Sequence, residues 1–589
     1  MLEIRYLENI QQIELNLINN RQYWPFICNA IQENAEETTL IGAFTLRLPV
    51  WAFLSCRAGL VYTLRKNNIT FSFDENVKKF LGLARERQEE YNQATTSKVL
   101  TLAELKSRLK NVGFSRSLTN AQERNILKLC SLSSGATFSV PGAGKTTEAL
   151  AFFAFRKKQG SKLLVICPKN AFAAWEEQIS ECFETSLKTI RLVGGEKNIR
   201  LWIKKDADVL LITYQQLSTV KEIVAEYLTN NPTFVFLDES HHIKRGIMGE
   251  GGRTVLSLAH LPVAKLIMTG TPLPNSISDL ISQFNFIYPE IDVTSENVEK
   301  LIKPIFVRTT KRELGLPPVD RKSIPIHLKP SQRNLYELLR SEEARQLANI
   351  SAKDRNNYRH IGKSVIRLLQ VVSNPALLVK AEIDFPDGLF DTLIEGDSPK
   401  IEYACYKARA LAHDGKKVII WSGFVENVEL IANRLSDIGA DYIHGGVDAG
   451  SEQEENTREN KIARFHNDEG AFVLVANPAA CAEGISLHTV CHHAIYVDRN
   501  YNAAQYLQSE DRIHRFGLAP SVITTIEILI SPNTVDQSVL RRLNSKVEKM
   551  RKVLDDDSLN IEPVEVDLET DGLGEDDISD FLRHLNGEG

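Results

Sequence analysis

The stretch FVFLDESHH, residues 234–242, governs the reading of this chain: four apolar residues, two adjacent acids, then a polar turn. Four or five apolar residues bounded by polar turns mark a strand buried on both faces. A strand that ends in Asp238 and Glu239 sets two carboxylates at the edge of a sheet. About 90 residues before them stands SVPGAGKTTEAL, residues 139–150. Gly142 and Gly144 let the backbone pass close to phosphates, amides inward, ahead of a helix N-terminus. Lys145 would reach the β- and γ-phosphates, and the Thr146 hydroxyl would ligate magnesium. Ser139 stands where the GxxxxGK[ST] pattern has its first glycine, so the loop by itself also reads as a glycine-rich turn before a helix. The acid pair narrows the choice. Phosphoryl transfer needs an acid to hold magnesium, which suits Asp238, and a group to orient the attacking water, which suits Glu239.

Working outward, the same kind of apolar run recurs at LLVIC (163–167), VLLIT (209–213) and KLIMT (265–269), then at VIIW (418–421), FVLVA (472–476) and AIYV (494–497). Amphipathic stretches separate them, which is the pattern of parallel strands with helical crossovers. The runs fall into two groups with a mostly helical stretch between, so two α/β lobes joined by a helical insertion are expected. Residues 1–115 differ. ENIQQIELNLINN and ENVKKFLGLARERQEEYNQ look helical, LPVWAFLSCRAGLVYTLRK is a short apolar segment, and ITFSF looks like a strand, with Asp74 after it as a helix N-cap. In the second group, QSEDRIHRFG (508–517) sets Arg512 and Arg515 three apart, on one face if the segment is helical. They are placed in sequence to act as arginine fingers.

Composition agrees with an ordinary folded protein rather than a membrane or fibrous one. Of 589 residues, 43% are hydrophobic and 25% charged, and no apolar run approaches the roughly 20 residues that span a bilayer. The N-terminus lacks the basic start and apolar core of a signal peptide, so a cytoplasmic location is expected, nucleoid-associated if bacterial, with a nuclear one also open. Eight scattered cysteines without a CxxC pair read as reduced thiols, and Cys491-His492-His493 beside AIYV reads as core rather than a metal site. From Asp555 to Gly589, thirteen acids face one base, Arg583, a net of −12 that leaves +6 on residues 1–554. A mildly basic body with an acidic tail fits a nucleic-acid binder, and equally a core with a solubilising terminus.

With these motifs in order, the chain resembles superfamily 2 helicase-fold ATPases, specifically the Swi/Snf-type translocases of double-stranded DNA, from about residue 116 to 548. LTNAQ (118–122) stands where the family has its adenine-reading glutamine. LLVICPKNAFAAWEEQ, VLLITYQQL, DESHHIKR and LIMTGTPLPNSISDL (266–280) follow. IFVRTTKRELGLPP (305–318) and LLQVVSNPALL (368–378) resemble the family's helical insertions, and SPK (398–400), VIIWSGF, AEGISL (482–487), QSEDRIHRFG and NTVDQSVL (533–540) complete the series. Arg245 replaces a usual asparagine, and only Gly484 remains where the fifth motif usually has a run of glycines. These departures place the chain nearer a compact branch resembling annealing helicases and bacterial relatives.

The resemblance implies two RecA-like parallel-sheet lobes with a Swi/Snf-type helical insertion, preceded by a small α+β domain. The boundaries expected are 1–115 for the N-terminal domain, 116–300 for the first lobe, 301–395 for the insertion and linker, 396–548 for the second lobe and 549–589 for a flexible acidic tail. ATP and Mg2+ are the implied cofactors. Catalysis would fall to Lys145, Asp238, Glu239, Arg512 and Arg515, nucleotide binding to Gln122, Gly142, Ala143, Gly144, Lys145, Thr146, Thr147 and Gly484, and the metal to Thr146 and Asp238. DNA contacts would come from Pro168, Lys169, Trp175, Thr213, Tyr214 and Ser422, and coupling from Thr269, Gly270, Thr271 and Gln508. Three tasks stay open on sequence alone: translocation on duplex DNA, remodelling of forks or branches, and a nucleotide switch in a larger assembly, with protein partners engaged through residues 1–115 or the tail.

Overall fold

All seven apolar runs are strands in the computed structural model, and every one of them pairs in parallel. The structure describes residues 1–10, 12–32, 38–93, 100–273, 277–347, 355–381, 397–448, 454–481, 486–499, 503–554 and 581–585. They divide into two compact units, the first holding Met1–Val140, Gly144–Pro272 and Ile277–Thr309, and the second running from Thr310 onward and taking in Pro141–Ala143.

The first unit has two sheets. The N-terminal one contains β1 (Leu2–Leu7), β2 (Gln12–Leu17), β3 (Thr39–Gly42), β4 (Thr45–Pro49) and β5 (Phe71–Phe73), in the order β3-β4-β2-β1-β5. The expected helix over ENIQQIELNLINN does not form among the described residues: 8–10 are a turn and 12–17 a strand. Ile13, Leu15 and Leu17 alternate with polar residues and are buried, and a period of two places them all on one face of a strand. Asp74 caps the next helix as anticipated: one carboxylate oxygen accepts from the Val77 amide at 2.7 Å, the other from the Tyr6 amide at 2.6 Å. This small domain is fastened to the rest of its unit. The Ser55 hydroxyl donates to the Ser257 carbonyl at 3.1 Å, the Tyr91 hydroxyl to the Leu301 carbonyl at 2.7 Å, and Arg57 pairs with Glu290 at 3.7 Å.

The second sheet of that unit is all parallel: β6 (Gly135–Thr137), β7 (Lys162–Ile166), β8 (Thr189–Arg191), β9 (Val209–Ile212), β10 (Thr233–Asp238), β11 (Ala264–Met268) and β12 (Phe306–Val307), ordered β12-β6-β11-β10-β7-β9-β8. The strands that carry the glycine loop and the acid pair, β6 and β10, both adjoin β11. Their carboxyl ends thus open on one edge, where ligands of such sheets bind.

The second unit is built on another parallel sheet of β13 (Val319–Pro325), β14 (Lys417–Trp421), β15 (Asp441–Ile443), β16 (Val473–Ala476), β17 (Cys491–Tyr496) and β18 (Thr524–Ile530), in the order β13-β18-β17-β14-β16-β15. Alternate residues serve opposite faces. Ile419 and Trp421 join one core with Ala494 and Tyr496, while Val418 and Ile420 join another with Val473 and Ile495. Cys491 packs inside β17, and among the described residues no group of three or more His, Cys, Asp or Glu could hold a metal by itself.

The tail departs from expectation. The helix Val535–Leu554 runs through the anticipated boundary at 549 without a break. Further on, Phe581, His584 and Leu585 are buried in a cluster with Tyr336, Leu339, Leu368, Val535 and Val539. The His584 ring sits 2.7 Å from the Tyr336 hydroxyl, which also accepts from the Val535 amide. All thirteen acids counted in the sequence lie outside the described residues.

Candidate nucleotide site

At the carboxyl edge of β6, Gly142 and Gly144 adopt φ of +84° and +83°, a left-handed backbone that a side chain would strain. Gly144 is also the N-cap of the helix Lys145–Arg156. A Cβ there would lie 2.3 Å from the Gln122 amide nitrogen, so only glycine lets the loop close against Gln122. Gln122 is held in turn by a capping box with Thr119, its oxygen accepting from the Thr119 amide at 3.0 Å. Lys145 reaches back across the loop and donates to the Ser139 carbonyl at 3.1 Å. Thr146 is half-buried, whereas Thr147, expected to touch nucleotide, is 1% exposed with its hydroxyl on Gln178 at 3.3 Å. That oxygen also lies 3.8 Å from where a Cβ on Gly144 would stand, so Thr147 packs beneath the loop.

The acid pair stands at the end of β10. Asp238 accepts from the Trp175 indole N–H at 2.9 Å, and Glu239 lies at φ +50°, an uncommon conformation for a side-chain-bearing residue. The Thr269 hydroxyl donates to Glu239 at 3.3 Å, and His241 Nδ1 lies 3.4 Å from the same oxygen. These surroundings drive the two acids apart. Burial, then the neighbouring Glu239 charge, pushes Asp238 up to about 6. Burial would raise Glu239 as well, but the His241 bond and charge, with Lys145, hold it down at about 2. Thr146 and Asp238 are hard oxygen donors of the kind magnesium takes, with phosphates and water completing its shell, so the residues fit an ATP–Mg2+ site.

Below the loop is a buried polar floor that the sequence did not announce. Glu148 accepts from Asn125 at 2.7 Å and from Thr137 at 2.6 Å. Burial pushes its carboxyl up to about 7, against those two bonds. Asn125 also donates to Thr309 at 2.9 Å.

Of the residues expected to touch DNA, Lys169 is exposed and Pro168 half-buried at the edge beyond β7. Trp175 and Ser422 are corrections. Trp175 is 1% exposed and spends its one donor on Asp238, while Ser422, fully buried, donates to Asp498 at 2.6 Å. Tyr214 donates to the Asp238 carbonyl at 2.8 Å, and the Thr213 hydroxyl caps the following helix by accepting from Gln216. Thr269, beyond bonding Glu239, accepts from the Thr271 amide at 3.1 Å, with Gly270 between them.

In the second unit, the helix Ala503–Glu510 ends before the two arginines, which sit on successive turns instead of a helix face. Arg512 donates to the Gln508 carbonyl at 3.0 Å, and both Arg512 and Arg515 are half-buried. Gly484 lies outside the described residues. The functional neighbours that sequence reading left without a role are His241, beside the water-orienting acid, and Asn125 and Glu148 beneath the loop. His241 was visible in the DESHH box, whereas Asn125 and Glu148 carry no local pattern.

A phosphate-loop pattern and an acid pair on one parallel sheet, followed in the chain by a second parallel sheet with an arginine turn, are the parts from which a P-loop nucleotide site is built. Residues 131–295 match the SNF2-related domain and residues 400–517 the helicase conserved C-terminal domain, the pair to which the Swi/Snf-type resemblance points. The chain is 24% identical over 508 residues to the ATP-dependent helicase fft2 of Schizosaccharomyces pombe, covering 70% of this chain and 39% of that one. It is also 24% identical over 476 residues to the mouse SWI/SNF-related matrix-associated actin-dependent regulator of chromatin subfamily A member 1, covering 75% and 43%. The chain thus spans less than half the length of these curated relatives. Among solved structures it is similar to the Sulfolobus solfataricus SWI2/SNF2 ATPase core in complex with dsDNA, at 22% identity over 76% of this chain and 94% of that one, with a TM-score of 0.33. At that score the likeness carries no further argument. Among the described residues no helix is long and apolar enough to cross a membrane.

Proposed function

We propose that this chain is an ATP-hydrolysing motor that moves along double-stranded DNA and remodels DNA or protein–DNA complexes without extensive strand separation. The observation that carries the reading is geometric: the acid pair at the end of β10 and the glycine loop with Lys145 beyond β6 stand at the carboxyl edge of one parallel sheet. Asp238, steadied by Trp175, and Thr146 would hold Mg2+, which would screen phosphate charge. Glu239, bonded by the Thr269 hydroxyl, accepts a hydrogen bond from water and directs its lone pair at the γ-phosphate. Lys145 neutralises charge on the β- and γ-phosphates, and Arg512 and Arg515 of the second lobe act as fingers on the γ-phosphate. Its loss withdraws their partner and biases the lobes toward another arrangement, and alternating grip on phosphates gives movement without reading bases. The helicase and the regulator of chromatin named among the relatives fit that substrate class.

Purified Lys145→Ala and Glu239→Gln proteins, assayed with saturating duplex, test the chemistry. Both should lose about a hundredfold or more of turnover while melting like the parent. Retained turnover in either would reject the assignment.

A further inference from the structure

The turn that bears Arg512 and Arg515 is held by ions from a segment about 190 residues earlier in the chain. Glu510, 1% exposed, takes both ends of the Arg321 guanidinium, its Nε at 3.1 Å, and Lys311 at 3.5 Å. Asp511 pairs with Lys311 at 2.6 Å. His514 meets the Pro317 carbonyl at 2.7 Å. Residues 311, 317 and 321 therefore engage 510, 511 and 514, the side chains that flank and alternate with the two arginines. Burial would raise the Glu510 carboxyl, yet Arg321 and Lys311 hold it at about 2, so the pairs persist across ordinary pH.

Buried ion pairs are poor sources of stability, since well-packed apolar groups do as well, but a bidentate guanidinium fixes direction closely. The same segment is held at its start. Thr309, two residues before Lys311, accepts from Asn125 at 2.9 Å and donates its amide to the Ser139 hydroxyl at 3.0 Å, within the polar floor of the phosphate loop.

We propose that Lys311 and Arg321 are positioning residues for ATP hydrolysis: their ion pairs with Glu510 and Asp511 set the geometry of the turn that presents Arg512 and Arg515. The inference rests on the reading that those two arginines act on the nucleotide. Neither Lys311 nor Arg321 touches the reacting atoms, so their loss should slow the chemical step while leaving ATP binding nearly as it was.

The test is steady-state ATP hydrolysis by the full chain with saturating linear duplex, with ATP varied and thermal melts alongside. Arg321→Gln and Glu510→Gln should each lower kcat about tenfold or more with KM for ATP within about threefold. The double variant should be no worse than the poorer single one, because the two act as a unit. Arg321→Lys, which keeps the charge and loses the fork, should recover part of the rate. A folded Arg321→Gln or Glu510→Gln protein with kcat within twofold of the parent overturns the inference. If those variants do not fold, Lys311→Gln decides: a several-fold loss of kcat at unchanged KM supports the clamp, and an unchanged kcat overturns it. Arg512→Ala and Arg515→Ala separate the levels. If both retain full turnover, the finger reading itself fails; if they lose it while the clamp variants do not, only the clamp fails.

Discussion

Asp498 welds the helical insertion to the second sheet, and its replacement gives a graded prediction. The carboxylate accepts from Ser373 at 2.7 Å, from Ser422 at 2.6 Å, from the Gly423 amide at 2.6 Å and from Asn427 at 3.4 Å. Ser373 ends the insertion helix Arg355–Ser373, while Ser422 and Gly423 follow β14. Asp498→Ala leaves these donors buried without their acceptor, at about 1–3 kcal/mol for each that finds no substitute. The two serine hydroxyls can rotate and the Gly423 amide cannot, so a total near 3–5 kcal/mol is expected. Asp498→Asn behaves differently. Its oxygen can keep the Gly423 bond and its amide can donate to the hydroxyls if they turn, but it then faces the Asn427 amide, a second donor, so a smaller loss of about 1–3 kcal/mol is expected. Urea unfolding of the full chain, followed by a probe in the second unit, reads both values, since each unit can unfold in its own transition. An Asp498→Ala protein within about 1 kcal/mol of the parent, or an asparagine variant as damaged as the alanine one, would refute this account of the weld.

Three further outcomes follow from particular contacts. Trp175→Phe removes a hydrogen bond to a buried carboxylate worth about 1.5–3 kcal/mol, and should cut turnover about tenfold with little change in melting if Asp238 needs that bond to work; turnover equal to the parent's would assign Trp175 to packing alone. Gly144→Ala forces a side chain into a φ of +83° and toward Gln122, and should abolish nucleotide-induced stabilisation in a thermal-shift titration while the nucleotide-free protein still folds. His584 is held well below its ordinary value, at about 4, by burial first and then by the Arg340 and Arg541 charges. The unfolded segment then binds more protons between about pH 6.5 and 4, so the docking of residues 581–585 should weaken as pH falls through that window. Hydrogen exchange at those amides reads it, and constant protection from pH 7 to 4 would contradict it.

Both parallel sheets were legible because their central strands are nearly unbroken apolar runs, the direct result of burial on two faces. Their edges were not. β13 reads VDRKSIP and β12 is two residues long, so neither has an apolar signal. β18 carries Glu527 in mid-strand, tolerated only because Tyr403 and Lys407 reach it at 2.9 and 2.7 Å. The phosphate loop and acid pair were readable because their chemistry is local: glycine for φ, lysine for phosphate, adjacent acids at a strand end. Trp175 and Ser422 were misassigned for the converse reason. Sequence places a residue on a motif but does not say which way its side chain turns, and both turn inward to carboxylates. The grip of Arg321 on Glu510 joins residues 189 apart, and no short-range pattern encodes such a pair.

The measurement closest to the central claim is ATP hydrolysis by the purified chain without nucleic acid and with linear duplex DNA, single-stranded DNA, forked DNA and RNA, each at low and high salt. A duplex-tracking motor predicts strong stimulation by linear duplex, with affinity falling steeply as salt rises because phosphate contacts carry the binding. Greater stimulation by forks than by linear duplex would move the substrate to branched DNA. ATP turnover indifferent to every nucleic acid would contradict the account.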